Sequence, residues 1–142
     1  MVGNLLGGRL LHRGAHAPVL IACGFVGMAL GACAAFVEVG GHALPLELRY
    51  IAVAAFSLLG GLVPASLFAS AMRIAPSERT VSSTVGWMQQ LSAFGQFTGP
   101  PFVAWLASRY GGWQFTWVAT GVLSALGCGL AWLLARRLRT SA

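Results

Sequence analysis

The chain has 142 residues, 57% of them hydrophobic and 8% charged, with a mean hydropathy of +0.76. Soluble domains run at roughly 45–50% apolar and about 25% charged, so a water-soluble globular fold is excluded. Nine arginines face three glutamates (Glu38, Glu47 and Glu78) with no lysine and no aspartate, which excludes chemistry that needs paired aspartates or a catalytic lysine.

A net charge of +6 would suit nucleic acid if the basic residues formed a face on a folded surface. They fall instead between long apolar runs, a pattern that points to a lipid bilayer as the partner and not to nucleic acid. Ahead of the first run lie Arg9, His12, Arg13 and His16. The two histidines are spaced i, i+4, but no third ligand is near, so they read as part of a basic loop, with no metal and no cofactor expected. Four charge-free runs follow: Pro18 to Val37, Tyr50 to Met72, Thr80 to Ser108 and Tyr110 to Ala135, of 20, 23, 29 and 26 residues. Roughly 20 apolar residues in a helix cross a hydrocarbon core of about 30 Å, so each is long enough. Barrel strands would alternate apolar and polar residues, and these runs do not. The first run also starts too far from Met1, and is too long, for a cleaved secretory signal.

The fold expected is therefore all-α and integral to the membrane, with four antiparallel transmembrane helices at about residues 18–37, 50–72, 80–107 and 113–135. The first helix carries Cys23, Gly27, Gly31 and Ala35 at successive i+4 steps, and the last carries Gly121, Ala125 and Gly129. Such small-residue stripes let helix backbones approach in lipid. The three cysteines, Cys23, Cys33 and Cys128, all lie inside runs without the close pairing of a zinc or redox motif, and read as small packing residues. Trp113, Trp117 and Trp132 fall near the ends of the last helix, where amphipathic rings sit at the lipid interfaces. Seven arginines (9, 13, 73, 79, 136, 137 and 139) fall on one side of this topology, and Arg49 and Arg109 on the other. The positive side stays inside, so both termini are expected in the cytoplasm of a cell bounded by this plasma (bacterial inner) membrane, with 38–49 as an outer loop.

The third run differs from the rest. With Gln89 at zero and about 100° per residue, Ser82, Gln96 and Pro100 fall within about 20° of it, and Gly86, Ser92 and Ala93 share that half. Trp87, Leu91, Phe94, Phe102 and Trp105 lie opposite. Polar residues within a membrane line a cavity or bond between helices, and the spacing alone leaves both readings of Gln89 and Gln96 open. Gly60, Gly61 and Pro64 in the second run, and Gly99, Pro100 and Pro101 in the third, are expected to bend their helices. Interrupted helices near the midplane mark the pathways of many transporters.

The series Gly61-Leu62-Val63-Pro64-Ala65, Ala75-Pro76, Gly86-Trp87-Met88-Gln89-Gln90, Gly95-Gln96, Gly99-Pro100-Pro101 and Gly111-Gly112-Trp113 resembles the last three helices of the major facilitator superfamily, especially bacterial members related to cyanate-type permeases and drug exporters. Gly8-Arg9-Leu10-Leu11-His12-Arg13-Gly14 resembles that family's cytoplasmic loop motif, carried by Gly8, Leu10, His12 and Arg13, with His12 where the family has aspartate. The resemblance implies a fragment of the twelve-helix fold, helices nine to twelve preceded by the end of helix eight, whose partners are a small-molecule substrate and the missing N-terminal helices. It further implies that the second run faces a central cavity and the third lines the contact between halves, making Gln89, Gln96, Ser57 and Pro64 the substrate-cavity candidates. The function implied is transmembrane transport of a small solute by a secondary transporter of which this chain is a part, not competent alone.

Two other readings stay open: a structural or assembly subunit of a membrane complex, and a small oligomeric four-helix exporter, although the latter proteins carry a glutamate within the first helix and Glu38 lies past its end. An enzyme is not expected, since the runs contain no histidine, no carboxylate and no H-E-x-x-H. The same lack puts any proton-coupling group outside these four runs.

Overall fold

A computed structural model describes residues 2–39, 42–75 and 77–140. Gly40 and Gly41 of the expected outer loop, and Pro76 of the Ala75-Pro76 pair, lie outside them. Six helices and one small hairpin follow in order: α1 (Val2–His12), α2 (Ala17–Phe36), β1 (Glu38–Val39), β2 (His42–Ala43), α3 (Leu46–Gly60), α4 (Leu62–Ile74), α5 (Val81–Tyr110) and α6 (Thr116–Thr140). The strands pair antiparallel, Glu38 opposite Ala43 and Val39 opposite His42.

Chain chemistry sets the helix ends. At the end of α1 the Ala15 N–H donates to the Leu10 carbonyl and the Gly14 N–H to that of Leu11, the paired bonds of a Schellman cap. That cap needs a left-handed residue, and Gly14 supplies it at φ +88°. Gly111, at φ +75°, ends α5 in the same way, with the Gly112 N–H on the Ala107 carbonyl. Pro18 sits in the first turn of α2, where its missing N–H leaves no bond unmade.

α2 is the hub. One face packs on α3 and α4, the other on α6, and α1 lies across α4. Gly24, Gly27 and Gly31 make the first contact: a Cβ on Gly24 would fall 2.6 Å from Val63 Cγ2, and one on Gly31 3.0 Å from the Ala52 carbonyl oxygen. Cys23, expected in this stripe, is exposed, and Gly24 occupies its place. Toward α6, the Phe25 ring lies over Gly127, and Cys128 Sγ reaches the Ala22 carbonyl at 3.9 Å. The buried stripe of α6 is thus Ser124, Gly127 and Ala131, not Gly121, Ala125 and Gly129. Gly121 and Gly129 have open space where a side chain would stand. Small residues occur all round this helix, so spacing alone could not say which stripe meets a partner.

The second expected helix is one path of 28 residues, Leu46–Arg73, interrupted at Gly61. Pro64 lacks the N–H that would bond the Gly60 carbonyl one turn earlier, and its ring crowds that carbonyl, so the interruption falls where the proline puts it. At the far end of this path, Arg49 Nε donates to the Ala35 carbonyl at 2.7 Å, capping the last turn of α2 from α3.

Among the described residues three helices are long and apolar enough to cross a membrane: Ala17–Phe36, Leu46–Arg73 and Thr116–Leu138. The expectation was four. α5, at 30 residues, has the length, but its Ser82, Ser83, Thr84, Gln89, Gln90, Ser92, Gln96 and Thr98 dilute its hydropathy below that of the other three. It runs as continuous helix through Pro100 and Pro101, the residues expected to bend it. The first residues of the fourth expected helix, Trp113–Phe115, form a separate 3-10 turn, and α6 starts at Thr116.

Candidate functional site

α5 has no buried residue, and it meets the other elements sparsely, chiefly α4 near its start and α6 near its end. The least exposed positions are Val81, Thr84, Val85 and Met88, then Gly99, Val103, Leu106 and Ala107. On a helical projection these fall on one stripe, and Gln89 and Gln96 lie about 60–80° round from its centre. From Gln89 to Thr98 every residue is exposed, including Phe94 at 67% and Phe97 at 80%. Both faces of the middle of α5 are therefore uncovered. The face that carries Gln89 and Gln96 meets no other element among the described residues. Gln96 is held only within its own helix, its Nε2 donating to Ser92 Oγ at 3.1 Å.

Ser57 and Pro64 are seven residues apart, which places them within about 20° of each other on the side of α3 and α4 turned away from α2. Both are exposed. Ser57 lines an open cavity of about 620 Å³ with Val2, Gly3, Ile51, Ala54 and Leu58, walled by α1 and α3 alone. No residue of α5 contributes to that wall, so Ser57 and Pro64 form one exposed strip and Gln89 and Gln96 another. The candidate residues are not brought together by this chain.

The loop motif has a clearer structural role. His12 and Arg13 are exposed at the α1 end, with the Arg13 N–H on the Arg9 and Leu10 carbonyls at 3.1 Å. Leu10 is half-buried and supplies the carbonyl that closes the cap. Gly8 has nothing within reach of a side chain, whereas Gly3 and Gly7, which the sequence reading passed over, are buried against α3 and α4. Their four-residue spacing is the same small-residue signal that marks α2.

The arginine-rich ends gather at one end of the bundle. His16 and Ala17 at the start of α2, Ser70 and Arg73 at the end of α4, and Ala135 and Leu138 near the end of α6 line a single cavity. The hairpin, Glu47 and Arg49 stand at the other end. The family model of the Major Facilitator Superfamily matches residues 1–142. No curated protein and no solved structure matches the chain.

Proposed function

The chain belongs to the Major Facilitator Superfamily, and from that premise we propose that it forms helices nine to twelve of a secondary transporter of small solutes, related to the cyanate-permease and drug-exporter branch. Family membership and the apolar helices make it a membrane protein of a transporter family. Such transporters rock one half against the other around a midplane site. The observation that carries the finer reading is α5, a 30-residue helix with no buried residue and an amide-bearing middle that nothing else in the chain covers. Exposed polar groups at membrane depth face protein or a water-filled path, so Gln89 and Gln96 are assigned to that path. Ser57 and Pro64 line its other wall. Neither pair can work alone, since a chain without an opposing half has nothing to rock against. The seven arginines ahead of α2, between α4 and α5 and at the end of α6 support cytoplasmic termini in the plasma (bacterial inner) membrane.

Cysteine labelling tests this without knowing the solute. In a version of the native-length protein with Cys23, Cys33 and Cys128 replaced by alanine, cysteines at Gln89 and Gln96 should react in cells with a membrane-impermeant maleimide. Cysteines at Trp87 and Leu91 on the opposite face should not. Equal protection at all four positions overturns the pathway assignment. The mass of the protein in its source membrane, read with an antibody to residues 136–142, tests the larger claim. A band at 14.8 kDa would favour an oligomeric four-helix exporter or an assembly subunit, and a band roughly three times heavier the twelve-helix transporter.

A further inference from the structure

The cavity at the arginine-rich end is unlike the others. It lies between the N-terminus of α2 and the C-termini of α4 and α6, holds about 520 Å³, and has a divided lining. His16, Ser70 and Arg73 are its polar lining residues, and Ala17, Pro18, Val19, Ala135 and Leu138 its apolar ones. A smaller cavity of about 220 Å³ adjoins it and shares His16, Ala17 and Arg73. Neither makes a side-chain hydrogen bond or ion pair among the described residues. Arg13, Arg136 and Arg137 lie at the same end, as does Glu78 in the 3-10 turn after α4, whereas Glu38 and Glu47 lie at the opposite one. The third polar lining residue, Ser70, is 2% exposed, and its hydroxyl proton is committed to the Ser66 carbonyl at 2.8 Å. Its oxygen can only accept.

We propose that this notch binds an anionic phospholipid, with Arg73 and His16 on the phosphodiester and Pro18, Ala135 and Leu138 against the glycerol ester end. Three features select that ligand class. A guanidinium and an imidazole N–H side by side provide donors for the non-bridging phosphate oxygens, and Arg does so with a planar fork. The apolar lining residues Pro18, Ala135 and Leu138 belong to the end turns of helices that read as membrane-spanning, the level at which a molecule with a charged head and hydrocarbon tails changes from one to the other. Ser70 discriminates between heads. The Arg73 guanidinium disfavours an ammonium in the same cavity, so the neutral hydroxyls of a glycerol headgroup suit the Ser70 oxygen better than ethanolamine does. The ligand of choice is thus phosphatidylglycerol or a relative with the same head. Because α5 contributes nothing to the notch, the proposal stands or falls independently of the transport pathway.

The test uses the protein at its native length, purified in detergent and titrated with phosphatidylglycerol, phosphatidylcholine of the same acyl chains, or inorganic phosphate, with bound molecules counted by native mass spectrometry. Phosphatidylglycerol should be retained about tenfold more strongly than phosphatidylcholine, which has the same phosphodiester but sets a quaternary ammonium against the Arg73 guanidinium. Arg73→Gln should abolish most of that preference, and Arg73→Lys should restore part of it. Arg109→Gln removes one charge at the far end of α5 and should leave it intact. Ala135→Trp fills the notch without changing charge and should lower phosphatidylglycerol retention to the phosphatidylcholine level. If Arg73→Gln fails to fold, Ala135→Trp decides alone. Equal losses in Arg73→Gln and Arg109→Gln, retention unaffected by Ala135→Trp, or displacement of the lipid by inorganic phosphate at the same concentration would each overturn the proposal.

Discussion

Gly3 of α1 and Gly61 at the α3–α4 interruption cross backbone to backbone. A Cβ on Gly61 would lie 2.8 Å from Gly3 Cα, and one on Gly3 would lie 2.9 Å from Gly61 Cα while also meeting the Leu58 carbonyl oxygen. Both partners are main chain, so neither has a side chain to move aside. Gly61→Ala and Gly3→Ala should each lower stability by about 1–3 kcal/mol, the usual cost of forcing extra volume into a close contact. Gly8→Ala, with open space around it, should be neutral or stabilising through helix propensity. Thermal unfolding in detergent separates the three, and a Gly61→Ala as stable as Gly8→Ala would contradict the crossing.

Much of this was legible in the residues. Apolar runs located α2 and α6 within a few residues because a bilayer demands length and composition that no other environment does. Gly60, Gly61 and Pro64 placed the interruption one turn before the proline, since the missing donor and the crowded carbonyl are local properties. Facing was harder to read. On α6 the stripe at Gly121, Ala125 and Gly129 and the stripe at Ser124, Gly127 and Ala131 are equally small, and only the partner decides between them. In α5 the contrast between amide and aromatic faces suggested an inside and an outside, yet helical periodicity reports which residues share a face, not which element covers it. The sparse contacts of α5 with its neighbours leave both faces open. Gly3 and Gly7 carried the signal that located the stripe of α2, but α1 is too short to register as a span.

The two cap glycines give a second test. Gly14 and Gly111 have positive φ, at +88° and +75°, where a Cβ meets the following carbonyl. Alanine at either position should cost about 1–2 kcal/mol, although nothing lies within contact distance of the added carbon. Asn, which tolerates this region, should recover part of the loss at each site. Chemical denaturation in mixed micelles would measure the order Gly, Asn, Ala.

Two serines one turn apart on α4 should respond in opposite directions. Ser66 is fully buried and its hydroxyl has no partner among the described residues, while Ser70 bonds the Ser66 carbonyl at 2.8 Å. Ser66→Ala removes a buried group that gains nothing from its surroundings, so stability should hold or rise by up to about 1 kcal/mol. Ser70→Ala loses a made bond and should cost about 0.5–1.5 kcal/mol. A loss on Ser66→Ala equal to that of Ser70→Ala would mean that Ser66 Oγ is satisfied after all. Both variants are measured as shifts in thermal midpoint at one lipid-to-detergent ratio.

Arg49 ties the two sides of the first helical hairpin together through its bond to the Ala35 carbonyl. A charged donor on a helix's last turn both satisfies an orphan carbonyl and opposes the negative end of the helix dipole. Arg49→Gln keeps a donor but loses the charge, and should cost about 0.5–1 kcal/mol, half-exposed as the site is. Arg49→Leu removes both and should cost about twice that. If the two variants are indistinguishable in thermal unfolding, the charge contributes everything and a neutral donor nothing.

Gln89 and Gln96 offer the sharpest separation of transport from stability. Gln96 bonds only Ser92 of its own helix, and both amides are exposed in the middle of α5. Replacing either by leucine removes no contact between helices of this chain, so expression and thermal unfolding of the native-length protein should be unchanged. Transport, once a substrate is identified by uptake screening, should fall by about tenfold in the double variant if the amides line the path, because a buried polar solute would then lose its partners. Retained transport would assign the amides to bonds with helices that this chain does not contain. In that case the double variant should assemble less of the complete protein, so that transport per molecule stays constant while the amount in the membrane drops.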